Sequence, residues 1–241
     1  MKKLSNSLIR SVLTSECQYF IKLQMDGVKS DPTPAMTNGL IIEHQMIGST
    51  MTGEEPHLPL LKNGALSKVE KDLRDRADYV KSLFPAMGIE ILSVQDFIQN
   101  DEFAGHIDFL GKVKSKKAIV DIKFSGAKLY DNYFGWPYDL TEKLSEDEFQ
   151  SVLYPYIMKD AEGEFLPFYY LLIGKTWIRF VKVEFGQDHL DYFLKVADDV
   201  RNRIDRMTFE PLKDYNACNS CILRSKCDKT TLVPGVEVVE L

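Results

Sequence analysis

Three β-rich runs follow one another closely, IEILSVQDFI (89–98), AGHIDFLGKV (104–113) and KAIVDIKFS (117–125), the last two joined by a Lys/Ser-rich turn that marks a hairpin. Two of these otherwise apolar strands carry an aspartate, Asp108 and Asp121, and the second carries Lys123 two positions further on. A carboxylate on the buried side of a strand is costly unless something positive pairs with it. Any fold for this chain must therefore supply that partner where the strands meet.

Around the strand run the chain alternates helical and extended patterns. Residues 4–25 place Leu8, Val12, Leu13, Phe20 and Leu23 at a mostly helical period, with Ser5 or Ser7 as the cap and Cys17 on the helix. DGVKSDPTPA reads as a loop, and NGLIIEHQMIG as a helix bearing His44. From Ser67, Val69, Leu73, Ala77 and Val80 recur at spacings of three and four, and Pro85 closes the segment. A helix begun by Ser145, two strands (PFYYLLIG and WIRFVKVEF) and the helix QDHLDYFLKVADDVRNRIDRM complete the order. Such an order implies an α/β fold, a central mixed β-sheet flanked by helices. We expect one domain over 1–241, with a core at about 65–206.

The chain has 241 residues, 44% of them hydrophobic, enough for a sizeable core. Its net charge of −6 argues against coating nucleic acid by bulk basicity, although local patches can still bind phosphate. The basic runs Lys112, Lys114, Lys116, Lys117 and Arg201, Arg203, Arg206 read as a solvated hairpin and a helix face. The opening residues lack the apolar run of a signal peptide and no stretch approaches a membrane span, so a cytoplasmic location is expected.

Side chains alternate along a strand, so Asp121 and Lys123 emerge together while Ile122 points away and offers its backbone carbonyl. With Asp108 brought alongside, two carboxylates and a carbonyl make an oxygen-rich site suited to Mg²⁺ or Mn²⁺. Phosphodiester hydrolysis uses such a set: a metal polarises the phosphoryl oxygen and an ammonium stabilises charge or orients the nucleophile. The plainer alternative is an i,i+2 ion pair on a solvated strand face. Cys218, Cys221 and Cys227 form a C-x2-C-x5-C cluster, which in a reducing compartment holds metal more often than it forms disulfides; Cys17 stands alone near the start.

Taken in order, Gly105 to Asp108, Asp121 to Lys123, and the Gln150 and Tyr154 of QSVLY resemble the G-x-x-D, D-x-K and Q-x-x-x-Y motifs of the RecB-like branch of the PD-(D/E)XK nuclease superfamily. The branch also has a helical histidine ligand preceded by glycine. Gly39 and His44 are similar to it, one residue further apart than in the family pattern, and Glu43 is an adjacent alternative ligand. The resemblance implies a restriction-endonuclease-like core. It implies that His44, Asp108, Asp121 and the Ile122 carbonyl bind Mg²⁺ or Mn²⁺, that Lys123 assists the attacking water, and that Gln150 and Tyr154 position the strand or support Lys123.

One N-terminal cysteine and three C-terminal ones, flanking these motifs, further resemble the iron–sulfur subgroup of the branch, which includes the CRISPR-associated RecB-like exonuclease and the AddB nuclease domain. The resemblance implies that Cys17, Cys218, Cys221 and Cys227 hold a [4Fe–4S] cluster joining segments 1–25 and 211–230; Zn²⁺ accepts the same four thiolates. The implied activity is a metal-dependent DNA exonuclease acting at single-stranded ends in recombination, repair or CRISPR adaptation. Tyr130, Tyr133, Phe134 and Trp136 are then available to stack on unpaired bases or to form a lid on their own core. A different class stays open: a non-catalytic or partner-dependent DNA-binding component of a DNA-processing complex. No G-x-x-x-x-G-K-[ST] phosphate loop is present, so the chain carries no ATP motor of that kind.

Overall fold

The computed structural model describes residues 3–50, 53, 55–125, 149–212 and 214–229. In chain order the elements are α1 (Asn6–Thr14), α2 (Gln18–Met25), α3 (Pro34–Ile47), α4 (Lys68–Ser82), the short α5 (Phe84–Met87), β1 (Ile89–Gln99), β2 (Ala104–Val113), β3 (Lys116–Ser125), α6 (Gln150–Glu162), β4 (Phe168–Gly174), β5 (Ile178–Val183), α7 (Gln187–Arg206) and α8 (Tyr215–Ser220). The five strands form one sheet in the order β1-β2-β3-β4-β5, antiparallel throughout except for the parallel pair β3 and β4. A parallel pair needs a long crossover, and α6 lies within it. The α/β class and mixed sheet expected from the sequence are both present.

Packing divides the chain into two compact units. One comprises Met1–Leu4 and Pro32–Phe193 and holds the whole sheet; the other comprises Ser5–Asp31 and Leu194–Leu241.

In the sheet unit, α3 and α4 cover one face. Ile41, Ile42 and Met46 of α3 and Leu73, Ala77 and Val80 of α4 pack with Phe109, Val120, Ile122, Leu171 and Ile173. The helices form where the sequence offers caps. Thr33 accepts from the Met36 N–H with Pro34 at the first helical position, Gly48 ends α3 in the left-handed region, and Ser67 accepts from the Glu70 N–H. Aromatic rings gather on the other face, with Phe103 against Tyr156 at 5.8 Å between centroids, Tyr154 against Phe168 at 6.4 Å, and Phe168 against Tyr170 at 4.9 Å.

In the second unit, side chains tie the N-terminal helices to the C-terminal segment. Gln18 Oε1 accepts from the N–H groups of Thr208 and Phe209, both at 3.0 Å. Tyr19 donates to Asp228 at 2.5 Å, and Asp31 accepts from Ser225 at 3.1 Å and pairs with Lys226 at 3.3 Å.

Three boundaries differ from the sequence expectation, the first at α3, which begins at Pro34 inside the stretch read as a loop because Thr33 caps it and proline suits the first turn. Residues 4–25 are two helices rather than one, and Cys17 sits at the N-cap of α2 instead of within a continuous helix. The break falls at Thr14–Ser15, whose hydroxyls compete for backbone groups: Thr14 donates to the Arg10 carbonyl at 2.9 Å and Ser15 Oγ accepts from the Cys17 N–H at 3.2 Å. Pro85 does not close α4 but lies in the first turn of α5, where its missing N–H costs nothing. Ser145 and the aromatics Tyr130, Tyr133, Phe134 and Trp136 lie outside the described residues.

The β2–β3 hairpin turns through Lys114 and Ser115 between the paired Val113 and Lys116, and both turn residues have positive φ, +48° and +70°. This is the type I′ requirement, which Asn-Gly meets without strain. Replacing Ser115 by Gly should raise unfolding stability by about 1 kcal/mol, the cost of one side chain in the left-handed region. Denaturant titration should show a higher midpoint at unchanged slope.

Candidate functional site

The ladder between β2 and β3 runs from Val113↔Lys116 to Phe109↔Val120 and stops, although both strands continue. Beyond that point Asp108 Oδ2 accepts from the Ile122 N–H at 2.6 Å, so a carboxylate takes a backbone donor that a strand neighbour would otherwise satisfy. One more step of the same register sets Asp108 opposite Asp121. Asp121 is only 2% exposed, and its Oδ2 pairs with Lys123 Nζ at 2.6 Å, as the shared strand face requires.

From α3, Glu43 joins this group. It is half-buried and accepts from Gln95 Nε2 of β1 at 2.5 Å. Burial and the negative charge of Asp121 push the Glu43 carboxyl up to about 7, against the pull of Lys123 and Gln95. Asp108 is likewise raised to about 7 by burial and by Glu43, opposed by Lys123 and the Ile122 N–H. Among the described residues Lys123 is thus the ammonium that acts on all three carboxylates. Glu70 on α4 shows the opposite arrangement. It is fully buried, yet Arg74 at 2.8 Å, His57 at 2.8 Å and the Leu58 N–H at 3.0 Å outweigh burial and hold its pKa below the usual range.

Excess negative charge at Glu43, Asp108 and Asp121 suits a hard divalent cation. No three His, Cys, Asp or Glu side chains among the described residues form a ready-made cation cage. His44 is half-buried on α3 next to Glu43.

Gln150 and Tyr154 stand one turn apart on α6, and Gln150 Nε2 donates to the Tyr154 hydroxyl at 3.1 Å. Burial, then Asp121, pushes the Tyr154 phenol up to about 12. A Cβ on Gly105 would meet Tyr154 Cε1 at 2.6 Å, so the glycine of G-x-x-D admits the tyrosine of Q-x-x-x-Y. The basic residues of the hairpin are partly taken by acids, Lys112 by Glu90 at 3.2 Å and Lys117 by Glu162 at 2.6 Å.

In the second unit, Cys17, Cys218, Cys221 and Cys227 all line one cavity of about 410 Å³. The cysteines are free of disulfides. Burial raises the Cys221 thiol, and the other three cysteines act on it electrostatically in the same direction. Cys218 Sγ lies 3.7 Å from the Leu212 carbonyl. The four thiols share this lining, but among the described residues no three of them stand close enough to form a metal site as they are.

No family model matches the chain, and no curated protein does. Among solved structures it is similar to a candidate exonuclease from Eubacterium rectale, with a TM-score of 0.60 at 18% identity over 85% of this chain and 80% of that one. It is also similar to SSO0001, at 12% identity over 97% of this chain and 89% of that one, with a TM-score of 0.43. The first likeness establishes a shared fold.

Two outcomes follow for the carboxylates and for Gly105. Because Glu43 and Asp108 titrate higher folded than unfolded, the native state binds more protons between about pH 4 and 7, and metal-free stability should fall as pH rises through that window. Asp108→Asn should therefore raise the Tm at pH 8 in chelator and leave it nearly unchanged at pH 4. Gly105→Ala should cost about 1–3 kcal/mol through overpacking, and Tyr154→Ala in the same chain should remove most of that penalty, as a double-mutant cycle in urea would measure.

Proposed function

We propose that this chain is a metal-dependent nuclease that hydrolyses DNA phosphodiester bonds, acting from single-stranded ends. The observation that carries the reading is the convergence of Glu43, Asp108 and Asp121 beside Lys123 where the β2–β3 ladder ends. The fold shared with the candidate exonuclease adds support.

Asp108, Asp121, the Ile122 carbonyl and Glu43 or His44 would hold Mg²⁺ or Mn²⁺. Such a cation supplies a polarised phosphoryl oxygen and a water of lowered pKa. Lys123, its side chain 30% exposed, is the member of the group best placed to meet solvent and a scissile phosphate, where its ammonium stabilises the developing charge and orients the attacking water. Tyr154, kept protonated by its surroundings, and Gln150 position the strand or support the lysine.

Cys17, Cys218, Cys221 and Cys227 would hold a [4Fe–4S] cluster or Zn²⁺, clasping the two ends of the chain and taking no part in hydrolysis. The sheet unit and this clasped unit together would make one nuclease domain. Among the described residues no helix is long and apolar enough to cross a membrane.

The test is degradation of end-labelled single-stranded and duplex DNA with Mn²⁺ or Mg²⁺. Asp121→Ala and Lys123→Ala should each lower the rate by at least about 100-fold while the fold survives, and unchanged cleavage would remove the assigned centre. Anaerobic purification should yield brown protein with iron and sulfide, or colourless protein with one Zn²⁺; protein with neither would dismiss the cysteine site.

A further inference from the structure

Gln95 lies in the middle of β1 and yet has a φ of +53°, in the left-handed region that a residue with a long side chain rarely adopts. The β1–β2 ladder pairs Val94 with Phe109 and Asp96 with Ile107, passing over Gln95 and Asp108 between them. The hairpin turns its faces over at this point. Phe109 packs into the core of α3 and α4, whereas Gly105, four residues earlier and so on the same side of a flat strand, abuts Tyr154 of α6. A hydrogen bond between the Ser93 and Asp96 side chains spans the bend. At the fold-over Asp108 is free to direct its carboxylate along the strand seam to the Ile122 N–H, and Gln95 sends its own amide to Glu43.

We propose that Gln95 is a positioning residue for the cation site: its backbone bends β1 opposite Asp108, and its side-chain amide holds the Glu43 carboxylate in the group formed with Asp108 and Asp121. The assignment rests on the metal-dependent reading above. A strained residue is retained here because the strain lies in the hairpin while the gain lies in the carboxylate geometry. The sequence gives no sign of it, since SVQDF reads as an ordinary half-exposed strand.

The two parts separate in one variant. Gln95→Gly keeps the bend without strain and deletes the amide. Its metal-free Tm should equal or exceed that of the wild type, while Mn²⁺ binding, measured by titration calorimetry without DNA, should weaken about 10–100-fold, the usual effect of losing a partner of a metal ligand. In a Glu43→Gln background the same change should have almost no further effect on Mn²⁺ affinity, because the amide acts through that carboxylate. Wild-type binding with an unaltered Gln95→Gly affinity overturns the role of Gln95 alone. Equal losses in both backgrounds overturn its action through Glu43. Absence of Mn²⁺ binding by the wild type overturns both this assignment and the nuclease reading.

Discussion

Everything at the sheet's centre depends on the point where β2 and β3 stop sharing a ladder. Backbone donors there still need acceptors, and Asp108 answers that need for the Ile122 N–H with a carboxylate instead of a carbonyl. A charge is thereby fixed at the seam between two strands, within reach of the field of Glu43 and Lys123. The same chain shows how a purely structural buried acid is handled: Glu70 has a guanidinium, an imidazole and a backbone N–H around it. At the seam the described residues set Lys123 against three carboxylates, an imbalance that burial magnifies by disfavouring the charged forms. Such an imbalance destabilises the free protein and favours whatever brings positive charge.

Much of this was legible in the sequence, for reasons that differ by element. β2 begins and ends where the β-rich run AGHIDFLGKV begins and ends, and the pairing of Asp121 with Lys123 follows from strand geometry alone. Ser67 and Gly48 mark helix ends through local chemistry that needs no tertiary context. Other features depend on contacts between distant segments. The break at Ser15 turns on hydroxyls choosing backbone partners over helix continuation, and the apolar period across residues 4–25 hides it. The bend at Gln95 is invisible because polar residues also occupy the exposed face of an ordinary strand. Glu43 and His44 are adjacent on one helix, and the sequence alone does not show that Glu43 meets Gln95 of β1 and acts on Asp108.

The glycine of the G-x-x-D run illustrates a motif whose reason lies elsewhere in the chain. Nothing about φ demands glycine at position 105. The demand comes from Tyr154, whose ring occupies the space that a methyl group would need. Two short motifs some 45 residues apart are therefore one steric unit, and each limits what the other can become. This also explains why the aromatic face of the sheet is built around α6. Phe168 and Tyr170 of β4 continue the surface on which Tyr154 rests, so the ring is held from the β2 side and the β4 side together.

That confinement bears on what Tyr154 can do. Gln150 donates to the phenolic oxygen and so occupies one of its lone pairs, which leaves the hydroxyl's own hydrogen as a donor. With its pKa pushed up to about 12, the phenol keeps that hydrogen at any working pH, and the negative charges that raise it are those of Asp121 and Asp108. A neutral donor held beside buried carboxylates adds no charge of its own, unlike a second lysine. It can therefore bond to an anionic oxygen without drawing Asp121 away from Lys123. On this view the helix supplies direction and the strands supply charge, and α6 reaches the site through packing against Gly105 and Phe168.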